Sequence, residues 1–202
     1  RGVTPDSLGP RVAERVFVTR HIKEHMPEAF DFDIPSVCAI APGVLGVTGV
    51  ETMDIVFGVA NKVKPDLIIA VDALASRRAA RISTTIQLSD SGISPGSGVG
   101  NTRADLSRAN LGVPVIAVGV PLVVYASTIS QDTISLIADE TGLHGDEARL
   151  RELAEQVIAK HMGDFIVTPK DIDVIVEDMA GIIANAINSA LFGNNLEQVR
   201  NM

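Results

Sequence analysis

The 202-residue chain contains one cysteine, no tryptophan, one tyrosine and six phenylalanines. A lone Cys38 can form neither an internal disulfide nor a thiolate metal cluster, which excludes a disulfide-stapled scaffold and fits a reducing interior. It reads as a small buried apolar residue. Aromatics are 3% of the chain while hydrophobic residues reach 46%, so the core has to be assembled from Val, Ile, Leu and Ala, which favours layered α/β packing. Basic residues are outnumbered, 17 Lys and Arg against 25 Asp and Glu, for a formal net charge of -8. That balance opposes any binding that depends on covering a phosphate backbone, and nucleic acid is not an expected ligand. No apolar run reaches the roughly 18 residues of a membrane span without an interrupting Gly, Pro or charge, so a soluble protein with no membrane partner is expected. The length suggests one domain over residues 1–202.

What is present centres on Pro65-Asp66-Leu67-Ile68-Ile69-Ala70-Val71-Asp72. Leu67 to Val71 is an unbroken aliphatic run with no polar alternation, as a parallel strand covered on both faces requires, and it reads as a buried central strand. In open α/β sheets the ligand crevice lies outside the carboxyl ends of the strands, so Asp72 stands where chemistry is usually sited. The alternative is that Asp72 merely caps the next segment.

Upstream, Val3-Thr4-Pro5-Asp6-Ser7-Leu8-Gly9-Pro10 reads as a loop entering a helix that runs to about Met26, with Leu8, Val12, Val18, Ile22 and Met26 on one face. Asp6 sits at its N-terminal end, where a carboxylate is favoured as a cap. Within the same helix His21-Ile22-Lys23-Glu24-His25 spells H-x-x-E-H, an inverted zinc-peptidase signature. The apolar stripe turns His21 and Glu24 toward solvent, so no metal site is assigned there. Ser36 to Ala41 reads as a strand and Glu51 to Lys64 as a helix with Met53, Val56, Phe57 and Ala60 inward.

After Asp72 come Arg77, Arg78 and Arg81, a basic cluster in an acidic chain, which is either a reader of acidic ligands or a solvated helical face. Thr84 to Leu88 alternates as a half-exposed edge strand does. It leads into the glycine- and serine-rich Ser89 to Asn101, where Gly96, Gly98 and Gly100 can offer backbone amides to a ligand. This is not a dinucleotide fingerprint, because Asn101 stands where its last glycine should be. Val113 to Val118 reads as a strand ended by Gly119 and Pro121. Helices follow at about Ser127–Glu140 and Asp146–Met162, and Thr168-Pro169-Lys170-Asp171 reads as a capping box that opens a helix to Gly193. The tail beyond reads as frayed.

At Val3 to Pro10, Ile68 to Ala75, Pro95 to Asn101 and Val167 to Lys170 the chain resembles the germination protease family of spore-forming bacteria. Four separated motifs in one order are more specific than any single glycine pattern. The resemblance implies an α/β fold, a three-layer α/β/α sandwich around a mostly parallel twisted sheet, phosphorylase/hydrolase-like and similar to the hydrogenase-maturation endopeptidases. It implies that the first core strand and a pro-segment lie upstream of Arg1. Carried over by position, the catalytic acids are Asp6 and Asp72, with Arg77, Arg78, Arg81, Gly96, Gly98 and Gly100 on the substrate. No histidine matches the nickel-sensing position of the maturation enzymes, so neither metal nor cofactor is implied.

The activity so implied is an aspartic-type endopeptidase, made as a zymogen and working as a homotetramer in the cytoplasm of the spore core, which degrades small acid-soluble spore proteins during germination. Two carboxyls within a few Å do not both ionise cheaply, so one holds a proton while the other acts as base on a water. A zinc metallopeptidase built on the H-x-x-E-H helix and a non-catalytic peptide-binding module are the rival readings.

Overall fold

A computed structural model of the chain describes residues 5–26, 28, 32–95, 104–142, 145–161, 163 and 165–201. The 3-10 turn Pro5–Ser7 leads into helix α1 (Leu8–Ala13), followed by α2 (Arg20–His25), α3 (Leu45–Thr48) and α4 (Thr52–Val63). Strand β1 (Ile68–Ser76), a 3-10 turn at Ala79–Arg81 and strand β2 (Gln87–Ser89) come next. Then come α5 (Arg108–Leu111), β3 (Val115–Tyr125), α6 (Ala126–Thr141), α7 (Glu147–His161), β4 (Ile166–Val167), α8 (Ile172–Phe192) and α9 (Leu196–Arg200).

The sheet is open and mixed. Its middle strand is β3, paired parallel with β1 on one side and antiparallel with β2 and β4 on the other. The sequence pointed to β1 as the central strand, but among the described residues β1 is paired on one edge only and is mostly half-buried. The nearly continuous burial belongs to β3. That strand does not stop at Val118. It runs on through Gly119 and a fully buried Pro121, because the missing amide of proline coincides with a bulge: Leu74 pairs with Pro121 and Ala75 with Val123, so one residue of β3 is passed over.

Helices supply apolar residues to both faces of β1 and β3. Leu8 and Val12 of α1 and Val176, Ala180, Ile183 and Ala184 of α8 pack with Val118, Val120 and Leu122, joined by Ile69, Val71 and Ala73. The alternate residues Ile68, Ala70 and Val115 pack with Met53 and Val56 of α4 and Leu111 of α5. Phe57, expected to face inward, is exposed, as is Cys38. An 18-residue window within the helical stretch Ile172–Arg200 has a mean hydropathy of 1.3, so by length and composition alone the stretch could cross a bilayer, which the sequence reading did not expect. Its inward residues are those of the sheet's core, so here it is a core helix.

Four further expectations fail for physical reasons. The first helix breaks after Ala13, because the carboxamide of buried Asn188 in α8 accepts the Phe17 amide at 2.9 Å and donates to the Arg15 carbonyl at 3.0 Å, taking groups a continuous helix would use itself. Val18 and Met26 are consequently exposed. Segment 36–41 forms no strand and pairs with none among the described residues. It is tied by Thr19, whose hydroxyl donates to Pro35 O at 2.6 Å and accepts the Val37 amide at 3.0 Å. Asp171, not Thr168, is the residue before α8, and its side chain makes no capping bond. The tail is not frayed: Val199 of α9 is buried with Ile34 and Phe192, beside Phe17, whose ring centroid lies 6.2 Å from that of Phe192.

Candidate active site

Asp72 lies inside β1, four residues before its end, and not just beyond a strand ending at Val71. Ile69, Val71 and Ala73 face α1 and α8, so the two-residue alternation of a strand turns Asp72 to the other face, in line with Ala70 and Leu74. It is half-buried, and its Oδ1 accepts the Ala73 amide at 2.9 Å. Its partner across the ladder is Gly119. A Cβ there would meet Leu74 Cδ1 at 2.3 Å, so the absent side chain is the space that the Leu74 isobutyl group occupies beside Asp72.

Asp6 is exposed in the turn Pro5–Ser7, which lies against β1. The approach is fixed by Gly9: a Cβ on that residue would stand 2.9 Å from the Val71 carbonyl oxygen, so α1 comes nearer the strand than a side chain allows. The turn carrying Asp6 is thereby held next to the residue that precedes Asp72. α1 covers one face of β1 and Asp72 projects on the other, beside the edge of β1 that carries no strand among the described residues.

Arg77, Arg78 and Arg81 follow β1 and are all exposed, and none makes an ion pair among the described residues. Along the strand, the five steps from Asp72 to Arg77 span about 16 Å at most. Two contacts that local sequence did not suggest hold the backbone of the arginines. Ser76, 5% exposed, donates from Oγ to Arg78 O at 2.5 Å, and Asp132 of α6 accepts the Ala79 amide at 2.7 Å.

Gly96, Gly98 and Gly100 lie outside the described residues, as does Thr4. The roots of that glycine-rich segment are placed: Ile93 and Leu106 exchange amide bonds of 3.1 and 2.7 Å, beneath Gly92, whose φ of 93° and contact with the Leu106 carbonyl admit no side chain. The H-x-x-E-H residues His21, Glu24 and His25 are exposed on the six-residue α2, with Glu24 held by Arg20. No group of three His, Cys, Asp or Glu able to hold a metal occurs among the described residues.

A family model described as germination protease matches residues 1–149 and 141–201. Proteins named germination protease from Clostridium tetani, Clostridium acetobutylicum and Caldanaerobacter subterraneus are 46%, 47% and 48% identical over 94% of this chain. The chain spans 62% of the length of each of these relatives. With a family model covering nearly its whole length, the chain belongs to the germination protease family.

Proposed function

We propose that the chain carries the peptide-cleaving centre of an endopeptidase that acts during spore germination, in which Asp6 and Asp72 activate a water between them at the edge of β1. The observation that supports this reading is the packing of Gly9 on the Val71 carbonyl, which sets the Asp6 turn beside the strand bearing Asp72. One carboxyl serves as base to the water while the other, protonated, donates to the carbonyl of the bond being cleaved. The amides of Gly96, Gly98 and Gly100 hold the substrate backbone. In the same reading the sheet is the middle layer of an α/β/α sandwich, and the protein is a zymogen-derived homotetramer of the spore core that degrades small acid-soluble spore proteins.

Recognition of acidic substrate segments falls to Arg77, Arg78 and Arg81. An arginine side chain, a substrate acid and one or two residues of extended peptide close a span of about 16 Å to Asp72. Asp6→Asn and Asp72→Asn test the proposal. Each is expected to lower peptide cleavage by about a hundredfold to ten-thousandfold with an unchanged circular dichroism spectrum. EDTA or phenanthroline is expected to leave the rate intact. Variants cleaving near the wild-type rate would return both acids to local capping. Loss of activity on chelation, regained with zinc, would favour a metallopeptidase on α2.

A further inference from the structure

We propose that Asp132 of α6 is a positioning residue for a carboxylate-binding turn, holding the backbone of residues 78–79 so that Arg77, Arg78 and Arg81 meet an acidic side chain of the peptide substrate. The inference rests on the endopeptidase reading above.

The turn is built as a site and not as a loose basic stretch. Its amides are committed inward: Arg78 N donates to Ser76 Oγ at 3.3 Å, Ala79 N to Asp132 Oδ2 at 2.7 Å, Arg81 N to Arg78 O at 3.1 Å and Ile82 N to Ala79 O at 3.1 Å. Thr84 Oγ1 closes the far side on Arg81 O at 3.2 Å. Of these tethers, the Asp132 bond reaches 53 residues along the chain and fixes the turn to a sixteen-residue helix.

The guanidinium groups are left outside this network. Among the described residues Arg11, Arg15, Arg20, Arg151 and Arg200 each pair with a carboxylate, whereas Arg77, Arg78 and Arg81, like Arg108 and Arg149, pair with none, and only the first three of these follow one another within a single turn, in a chain of net charge -8. Asp132, the acid at the turn, binds a backbone amide instead of neutralising an arginine. A fork of donors matches a carboxylate through paired bonds, and fixing the backbone beneath the forks lowers the ordering cost of binding. The chemistry therefore selects an acidic side chain over its neutral amide.

The sign of substitution separates positioning from simple electrostatics. If Asp132 acted only by its charge, removing it as alanine or as asparagine would strengthen binding of an acid to neighbouring arginines. If it acts by holding the Ala79 amide, alanine weakens binding and asparagine, whose side-chain oxygen accepts the same bond, preserves it.

The experiment uses the full-length protein and a peptide whose scissile amide is replaced by a reduced bond, made in a glutamate and a glutamine version, with affinity read by fluorescence anisotropy. Wild type is expected to bind the glutamate version roughly tenfold or more tighter. Asp132→Ala is expected to bring the ratio to within about twofold of unity while leaving the glutamine version unchanged, and Asp132→Asn to keep most of the preference. Thermal unfolding accompanies each variant, and Ser76→Ala, which removes the second tether, carries the same expectation if Asp132→Ala does not fold. No glutamate preference in wild type, an unchanged ratio in Asp132→Ala, or equal effects of alanine and asparagine would overturn the proposal. A wild-type protein that binds with preference yet leaves the ordinary amide peptide uncleaved would refute the endopeptidase reading and leave the carboxylate site standing.

Discussion

Gly9 and Val71 meet so closely that a Cβ on the helix residue would lie 2.9 Å from the carbonyl oxygen of the strand residue. The contact is with backbone, which cannot swing aside as the end of a side chain does. Gly9→Ala therefore sets two effects against each other. Alanine is favoured over glycine within a helix by up to about 1 kcal/mol, while overpacking against a fixed group costs about 1–3 kcal/mol. The clash is expected to win, lowering stability in urea by about 1–2 kcal/mol. Because α1 must lift away from β1, the cleavage rate is expected to fall by more than the loss of folded protein explains. A variant as stable and as active as wild type would show that the close approach does not hold the site.

Asn188 and the Phe17 and Arg15 backbone groups give a prediction with a sign. Asn188→Ala leaves a half-buried amide and a half-buried carbonyl without their partner, at about 1 kcal/mol each. Asn188→Asp keeps an acceptor for the Phe17 amide but turns an oxygen toward the Arg15 carbonyl and buries a charge, so it is expected to destabilise at least as much at neutral pH. Thermal melts of the two variants side by side decide this, and a harmless aspartate would place the carboxamide outside the core.

Leu74 and Gly119 should be coupled. Gly119→Ala drives a Cβ into Leu74, which is the end of a flexible side chain and can be trimmed. Gly119→Ala alone is expected to cost about 1–3 kcal/mol and to impair cleavage through β1, whereas adding Leu74→Ala should restore part of both. Simple additivity in a double-mutant cycle would mean that the two residues do not share that space.

The long helices were legible: α4, with its inward Met53 and Val56, and the segments α6 and α7 lie within two residues of where the sequence put them. What was not legible depends on partners far along the chain. The break between α1 and α2 is made by Asn188, 171 residues from Phe17. The continuation of β3 through Gly119 and Pro121 depends on a bulge against Leu74 that no local pattern announces. At the candidate site, the composition of β1 marked Asp72 and the arginine cluster stood out by charge. A glycine inside Leu8-Gly9-Pro10 was a usable sign of close approach. The role of Asp132 had no sequence signal, since an aspartate on a polar helix is ordinary until its bond to the Ala79 amide is seen.

The most direct test of the acid pair is the cleavage rate of the Asp6→Asn, Asp72→Asn double variant against each single variant, with folding checked by circular dichroism. Groups that act as one unit are not additive, so losing either should remove nearly all that losing both removes. The account predicts a double variant within about threefold of the slower single variant. Losses that multiply, or a single variant that keeps near wild-type turnover, would contradict a shared water between Asp6 and Asp72.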